Sequence, residues 1–158
     1  MPGRSTRWLL AVALVGACAC GSKAVKVQQS RDSAFLLEVL KGAKDEWLVE
    51  DAARNLGAMK VASAVPDLVR LLSDVNAGPF RRAAAARALQ DIGDARAVKP
   101  LVSALGRATD AEERCAIAFA LGRFRDPDAS AALESLMNDP DVLVARAARK
   151  GYESQGAK

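Results

Sequence analysis

Residues 52–72, AARNLGAMKVASAVPDLVRLL, lie over residues 85–105, AARALQDIGDARAVKPLVSAL, at an offset of 33 without a gap. The overlay superposes Arg54 on Arg87, Leu56 on Leu89, Leu68-Val69 on Leu101-Val102 and Leu72 on Leu105. A third copy, residues 116–137, follows at an offset of 32 and brings Leu121, Ala129, Leu133 and Met137 onto Leu89, Ala97, Leu101 and Leu105. Repeats with periods of about 20–50 residues build solenoids, because one unit cannot bury its apolar face alone. Each period here holds two stretches of helical apolar spacing. Half-units flank them: FLLEVL (35–40) in the register of a second helix and VLVARAARKGY (142–152) in that of a first helix. The pattern predicts eight helices, over 33–43, 46–57, 62–73, 79–91, 95–106, 110–123, 127–137 and 140–152.

Composition agrees with an all-α chain. Alanine occurs 33 times against 14 valines and 2 isoleucines, and aromatics make up only 4%, an alphabet that favours helices over sheets. With 51% apolar and 27% charged residues, the chain is too hydrophobic for disorder. It contains no histidine, which removes imidazole as a metal ligand or general base.

Local signals punctuate the predicted helices. Asp126-Pro127 and Asp139-Pro140 each offer a capping carboxylate before a proline at the first helical position. Thr109-Asp110-Ala111-Glu112 is read as a capping box, and Gly57 and Gly93 as left-handed helix ends. Pro66 and Pro100 fall a turn or more inside the second helices and predict a bend there.

A first helix ending in Ala-Leu or Leu-Gly, a small polar residue, then Ala-Val-x-x-Leu-Val resembles the HEAT-like repeat family, in particular the short bacterial form named after phycobilisome lyases. The resemblance covers roughly residues 33–152 and implies a right-handed α-α superhelix of about three full repeats plus flanking half-repeats. Members of that family are mostly binding scaffolds, with some enzymes among them. Deoxyhypusine hydroxylase-type members hold two irons through His-Glu pairs, a motif that a chain without histidine cannot reproduce. Nothing marks a chromophore site of the bilin-lyase kind. The expectation is therefore no catalytic residue, no metal and no cofactor.

The first 17 residues, MPGRSTRWLLAVALVGA, combine two arginines with an uncharged run and small residues, the layout of an export signal. The run is well short of the ~20 residues of a membrane span. Val15-Gly16-Ala17-Cys18 resembles the bacterial lipobox, which implies cleavage before Cys18, a diacylglycerol thioether on its sulfur and a further acyl chain, palmitate for example, on its amine. Several chains anchor a protein stably where one would not. Cys20 is a competing acceptor with a poorer aliphatic position. Ala19 after the modified cysteine implies the outer membrane if the host is Gram-negative. The expected organisation is a lipoprotein signal peptide (1–17), a lipidated tether (18–32), the repeat domain (33–153) and a disordered tail (154–158). Cys20 and Cys115 either form a disulfide or remain a tether thiol and a small buried helix residue.

Without Arg4 and Arg7 the chain carries 21 Lys+Arg against 19 Asp+Glu, too balanced for nucleic-acid binding. A binding surface is expected on the concave side lined by second helices, where Glu38, Arg70, Ser103 and Ser135 are equivalent, with Asp67, Lys99 and Glu134 nearby. Mixed signs without aromatic interleaving point to a protein or peptide partner; the other reading is an ordinary solvated face. Arg54, Arg87 and Lys150 share a register interrupted by Phe119. It reads either as a basic stripe for phosphate or anionic lipid, or, favoured, as a ladder in which Arg87 reaches Asp94 or Asp126. Trp47 and Phe80 are read as staples into the core. Together these readings describe a lipid-anchored scaffold or adaptor of the cell envelope, with a non-catalytic spacer or self-assembling element, or a lyase-like accessory enzyme, as alternatives.

Overall fold

The structure, a computed structural model, describes residues 32–156. These form eight α-helices and no strand: α1 (Ser33–Gly42), α2 (Glu46–Ala58), α3 (Val65–Ser73), α4 (Pro79–Ile92), α5 (Val98–Leu105), α6 (Ala111–Leu121), α7 (Pro127–Leu136) and α8 (Val142–Gly156). Two layers result. First helices stack in the order α2, α4, α6, α8, second helices in the order α1, α3, α5, α7, and the substantial contacts join only neighbouring helices. This is the expected α-α solenoid.

One leucine per second helix, Leu36, Leu68, Leu101 and Leu133, is fully buried at the repeat register. Leu56, Leu89 and Leu121 do the same in the first helices. Each such side chain contributes roughly 1.5–3 kcal/mol by leaving water. Between the first helices the contact is made by small residues, with Ala52, Ala53, Ala85, Ala88 and Ala118 all buried. Glycine brings two of these junctions closest: a Cβ on Gly57 would lie 2.9 Å from the Ala88 Cα, and one on Gly122 would lie 2.6 Å from the Gly151 Cα.

The ends of the stack are polar at that packing register. Ala88 of α4 sits on Gly57 of α2; one repeat earlier the equivalent of Ala88 is Asn55 and that of Ala84 is Asp51. At the other end α6 meets α8 through Ala118 and Gly122, and the equivalents in α8 are Arg149 and Glu153. Each of these helices thus carries polar residues where its neighbours carry alanine or glycine.

Several local expectations are corrected. Gly93 ends α4 in the left-handed region (φ 74°) as expected, but after α2 the positive φ belongs to Lys60 (52°), and Gly57 serves close packing instead. Asp110, not Thr109, caps α6 by accepting from the Glu112 and Glu113 amides. Asp141, not Asp139, caps α8 through the Leu143 and Val144 amides, and that helix starts two residues later than expected. It also runs on to Gly156, so residues 154–156, assigned to a disordered tail, are helical. Gln155 explains the extension: its amide donates to the Leu121 carbonyl at 3.0 Å and accepts from the Ser130 hydroxyl. Pro66 and Pro100 break nothing. A 3-10 turn (Ala62–Ala64, Ala95–Ala97) precedes each α segment, which places both prolines in a first turn whose N–H groups have no helical acceptor.

Candidate functional site

Two arginines at one repeat register tie the first-helix layer together. Arg82 of α4 donates from Nε and Nη2 to the two oxygens of Glu113 of α6, at 2.7 and 2.8 Å, and from Nη1 to the Ala77 carbonyl. Arg114 of α6 repeats the device 32 residues on, with Nε and Nη2 on Asp139 at 2.8 and 3.1 Å and Nη1 on the Thr109 carbonyl at 2.8 Å. Glu113 is only 2% exposed, so its charge is sustained by this forked partner. The hydrogen bond to Glu113 raises the Arg82 pKa, and that to Asp139 raises the Arg114 pKa. Arg114 in turn holds the Asp139 carboxyl below its ordinary 3.8.

That depression has a sign. The pair contributes stability above the ordinary Asp value, and the contribution disappears as acid protonates the folded carboxylate. Thermal melts of the wild type are expected to fall in midpoint as pH drops from about 5 toward about 2. Asp139→Asn should melt lower near neutrality and lose part of that slope; parallel slopes in both proteins would refute the assignment. Asp94, pushed down to about 2 chiefly by the Arg96 hydrogen bond, pairs at the surface with an arginine that is 65% exposed and adds little.

The second-helix face is only partly assembled. Asp67 takes Lys41 of α1 and Arg70 of its own helix, both at 3.1 Å. This trio lines a hollow of about 560 Å³ together with Leu40, Ser73 and Arg81. Ser135 turns back on the Ala132 carbonyl, and Glu134 accepts from Tyr152, whose pKa it raises. Glu38, Lys99 and Ser103 stand exposed without a hydrogen bond or ion pair among the described residues. The seven residues share a layer but do not converge on one cavity.

The outer surface of the first-helix layer departs further from expectation. Trp47 and Phe80 are 76% and 52% exposed, not core staples. Both occupy the second helical position, whereas a staple joins the residue before the cap to the fourth. Arg87 pairs across the junction with Glu112 at 2.8 Å, not with Asp94 or Asp126, and Arg54 is held within α2 by Glu50 and Asp51. The basic stripe is therefore interrupted by its own partners.

Beyond Arg87, two hollows of about 510 and 430 Å³ adjoin along α6, sharing Gln90 and Phe119. The first is lined by Cys115 and Leu143, the second by Arg123, Arg125 and Lys150. Cys115 is half-buried and unbridged; burial raises its thiol pKa, which keeps it protonated and slow to react near neutrality. Cys18 and Cys20 lie outside the described residues. Sequence reasoning missed both the Arg82 and Arg114 pairs and this groove, although the shared register of Arg82 and Arg114 was visible.

Comparison with known proteins bears on the architecture. A family model for HEAT repeats matches residues 33–114 and 99–151. Human deoxyhypusine hydroxylase, solved in complex with glycerol, superposes with a TM-score of 0.68 at 23% identity over 82% of this chain and 45% of its own. The CpcE and CpcF complex of phycocyanin lyase from Nostoc gives a TM-score of 0.74 at 22% identity, covering 100% of this chain and 68% of the other. At these identities the likeness concerns the fold, and the chain spans less than half the length of the hydroxylase. No curated protein matches in a sequence comparison.

Proposed function

Given that the chain belongs to the HEAT-repeat family, we propose that it is a lipid-anchored adaptor of the bacterial cell envelope that binds a protein or peptide and catalyses nothing itself. The observation that carries the reading is the adjacency, in one short chain, of a lipobox-like Val15-Gly16-Ala17-Cys18 and a stack of repeats whose remaining surface is free to bind. Among the described residues no helix is long and apolar enough to cross a membrane. Attachment then falls to the acyl chains on Cys18, on the periplasmic face of the outer membrane in a Gram-negative host.

Enzymes share this fold, as the lyase and hydroxylase structures illustrate, but a fold does not carry a reaction. The hydroxylase-type His-Glu pairs are unattainable with zero histidines. A self-assembling role is disfavoured by Asp51 and Asn55 at one end and Arg149 and Glu153 at the other, where a docking copy would have to bury charge.

Intact mass of the protein extracted from membranes, beside Cys18→Ser, tests the anchor. The wild type should carry a diacylglyceryl thioether and partition with detergent, while the variant should be unacylated and recovered in the soluble fraction. A wild type without acyl mass would refute the localisation. Crosslinking in intact envelopes followed by mass identification tests the adaptor half, and a reproducible partner is the expected outcome.

A further inference from the structure

We propose that the groove along α6 is a docking site for an acidic peptide bearing an apolar side chain, an inference that rests on the adaptor reading and assigns it a surface. The repeat register changes character beside the groove. Gly57 and Gly122 let α2 meet α4 and α6 meet α8 at backbone distance, but the equivalent residue at the α4–α6 junction is Gln90. Gln90 lines both hollows. The channel follows the 11 residues of α6, about 16 Å at 1.5 Å per residue, a length matched by about five extended residues of a peptide.

Chemistry varies along the channel. In the first hollow its exposed large side chains are apolar, Phe119 at 41% and Leu143 at 58%, and Cys115 lines it with them. At the far end it is cationic. Arg123, Arg125 and Lys150 are exposed and enter no ion pair among the described residues, whereas Arg87 is matched by Glu112, and Asp141 is committed to the α8 amides. This runs against the surroundings, since residues 32–156 carry 17 Lys+Arg against 19 Asp+Glu. A concentration of free cations beside exposed apolar side chains on a net acidic domain selects an anionic partner with an apolar anchor. Its concavity favours a chain segment over a flat bilayer surface, and its polarity sets the direction, with the anchor near Leu143 and the carboxylates near Lys150.

The test is selection of random short peptides displayed on phage against the full chain, with Arg123→Glu/Lys150→Glu panned in parallel. Both substituted residues are exposed, and thermal melts check that the variant folds. Enriched peptides should combine Asp or Glu with an aromatic or aliphatic residue and bind the variant at least about tenfold more weakly. They should also slow alkylation of Cys115, read by mass mapping. Peptides that bind the variant equally and leave Cys115 unprotected would overturn the groove while the adaptor reading stands. No enrichment at all would overturn both. Sedimentation of the wild type, but not the variant, with phosphatidylglycerol vesicles would overturn the peptide assignment in favour of a membrane surface.

Discussion

Glu113→Ala is expected to lower folding stability by about 3–5 kcal/mol, the usual consequence of removing one partner from a buried ion pair. The loss is large because both Glu113 oxygens are engaged by Arg82 and the carboxylate is 2% exposed. Without it the guanidinium keeps its desolvation and loses its counter-charge. Arg82 retains 17% exposure, so some water reaches it and the lower part of that range is expected. Against a typical total of about 5–15 kcal/mol, this moves a urea midpoint far. The double variant Arg82→Val/Glu113→Leu should recover most of the loss, because the preceding repeat has fully buried Val49 at the Arg82 register. A single-variant midpoint within about 1 kcal/mol of wild type would refute the account.

Gly122→Val should be comparably damaging for a steric reason. The new Cβ would lie 2.6 Å from the Gly151 Cα and 3.3 Å from its carbonyl carbon, so α6 and α8 must move apart as rods. Overpacking of this kind costs about 3 kcal/mol where no flexible side chain can yield. The backbone at Gly122 is ordinary (φ −60°), so conformational strain does not enter. Gly42, with nothing within 4 Å, is the control: Gly42→Ala should be neutral or stabilise by up to about 1 kcal/mol. Equal effects at the two glycines would refute close packing as the reason for Gly122.

Much of the architecture was legible because the information is periodic. Leu36, Leu68, Leu101 and Leu133 are one register seen four times, and all four are buried. What the repeat did not reveal depends on departures from it. Arg82 finds its acceptor 31 residues ahead and Arg114 finds one 25 ahead; the donors share a register and the acceptors do not. Trp47 and Phe80 do share a register, but periodicity says only that they are equivalent, and they project beyond the packed stretch. The second-helix face was inferred by subtracting core positions, which identifies exposed residues such as Glu38 and Ser103 without saying whether they converge. The groove at Phe119 is lined by Gln90, where the equivalent positions carry Gly57 and Gly122, a signal carried by one residue's difference from its equivalents.

The charged termini of the stack also fix how such an array can change length. A further unit appended to α8 would have to cover Arg149 and Glu153, and one placed before α2 would have to cover Asp51 and Asn55. A copy inserted between α4 and α6 would meet Ala86 and Gln90 on one side and the buried Ala116 and Ala120 on the other. An internal junction therefore accepts a further repeat at less cost in buried charge than either of these polar faces.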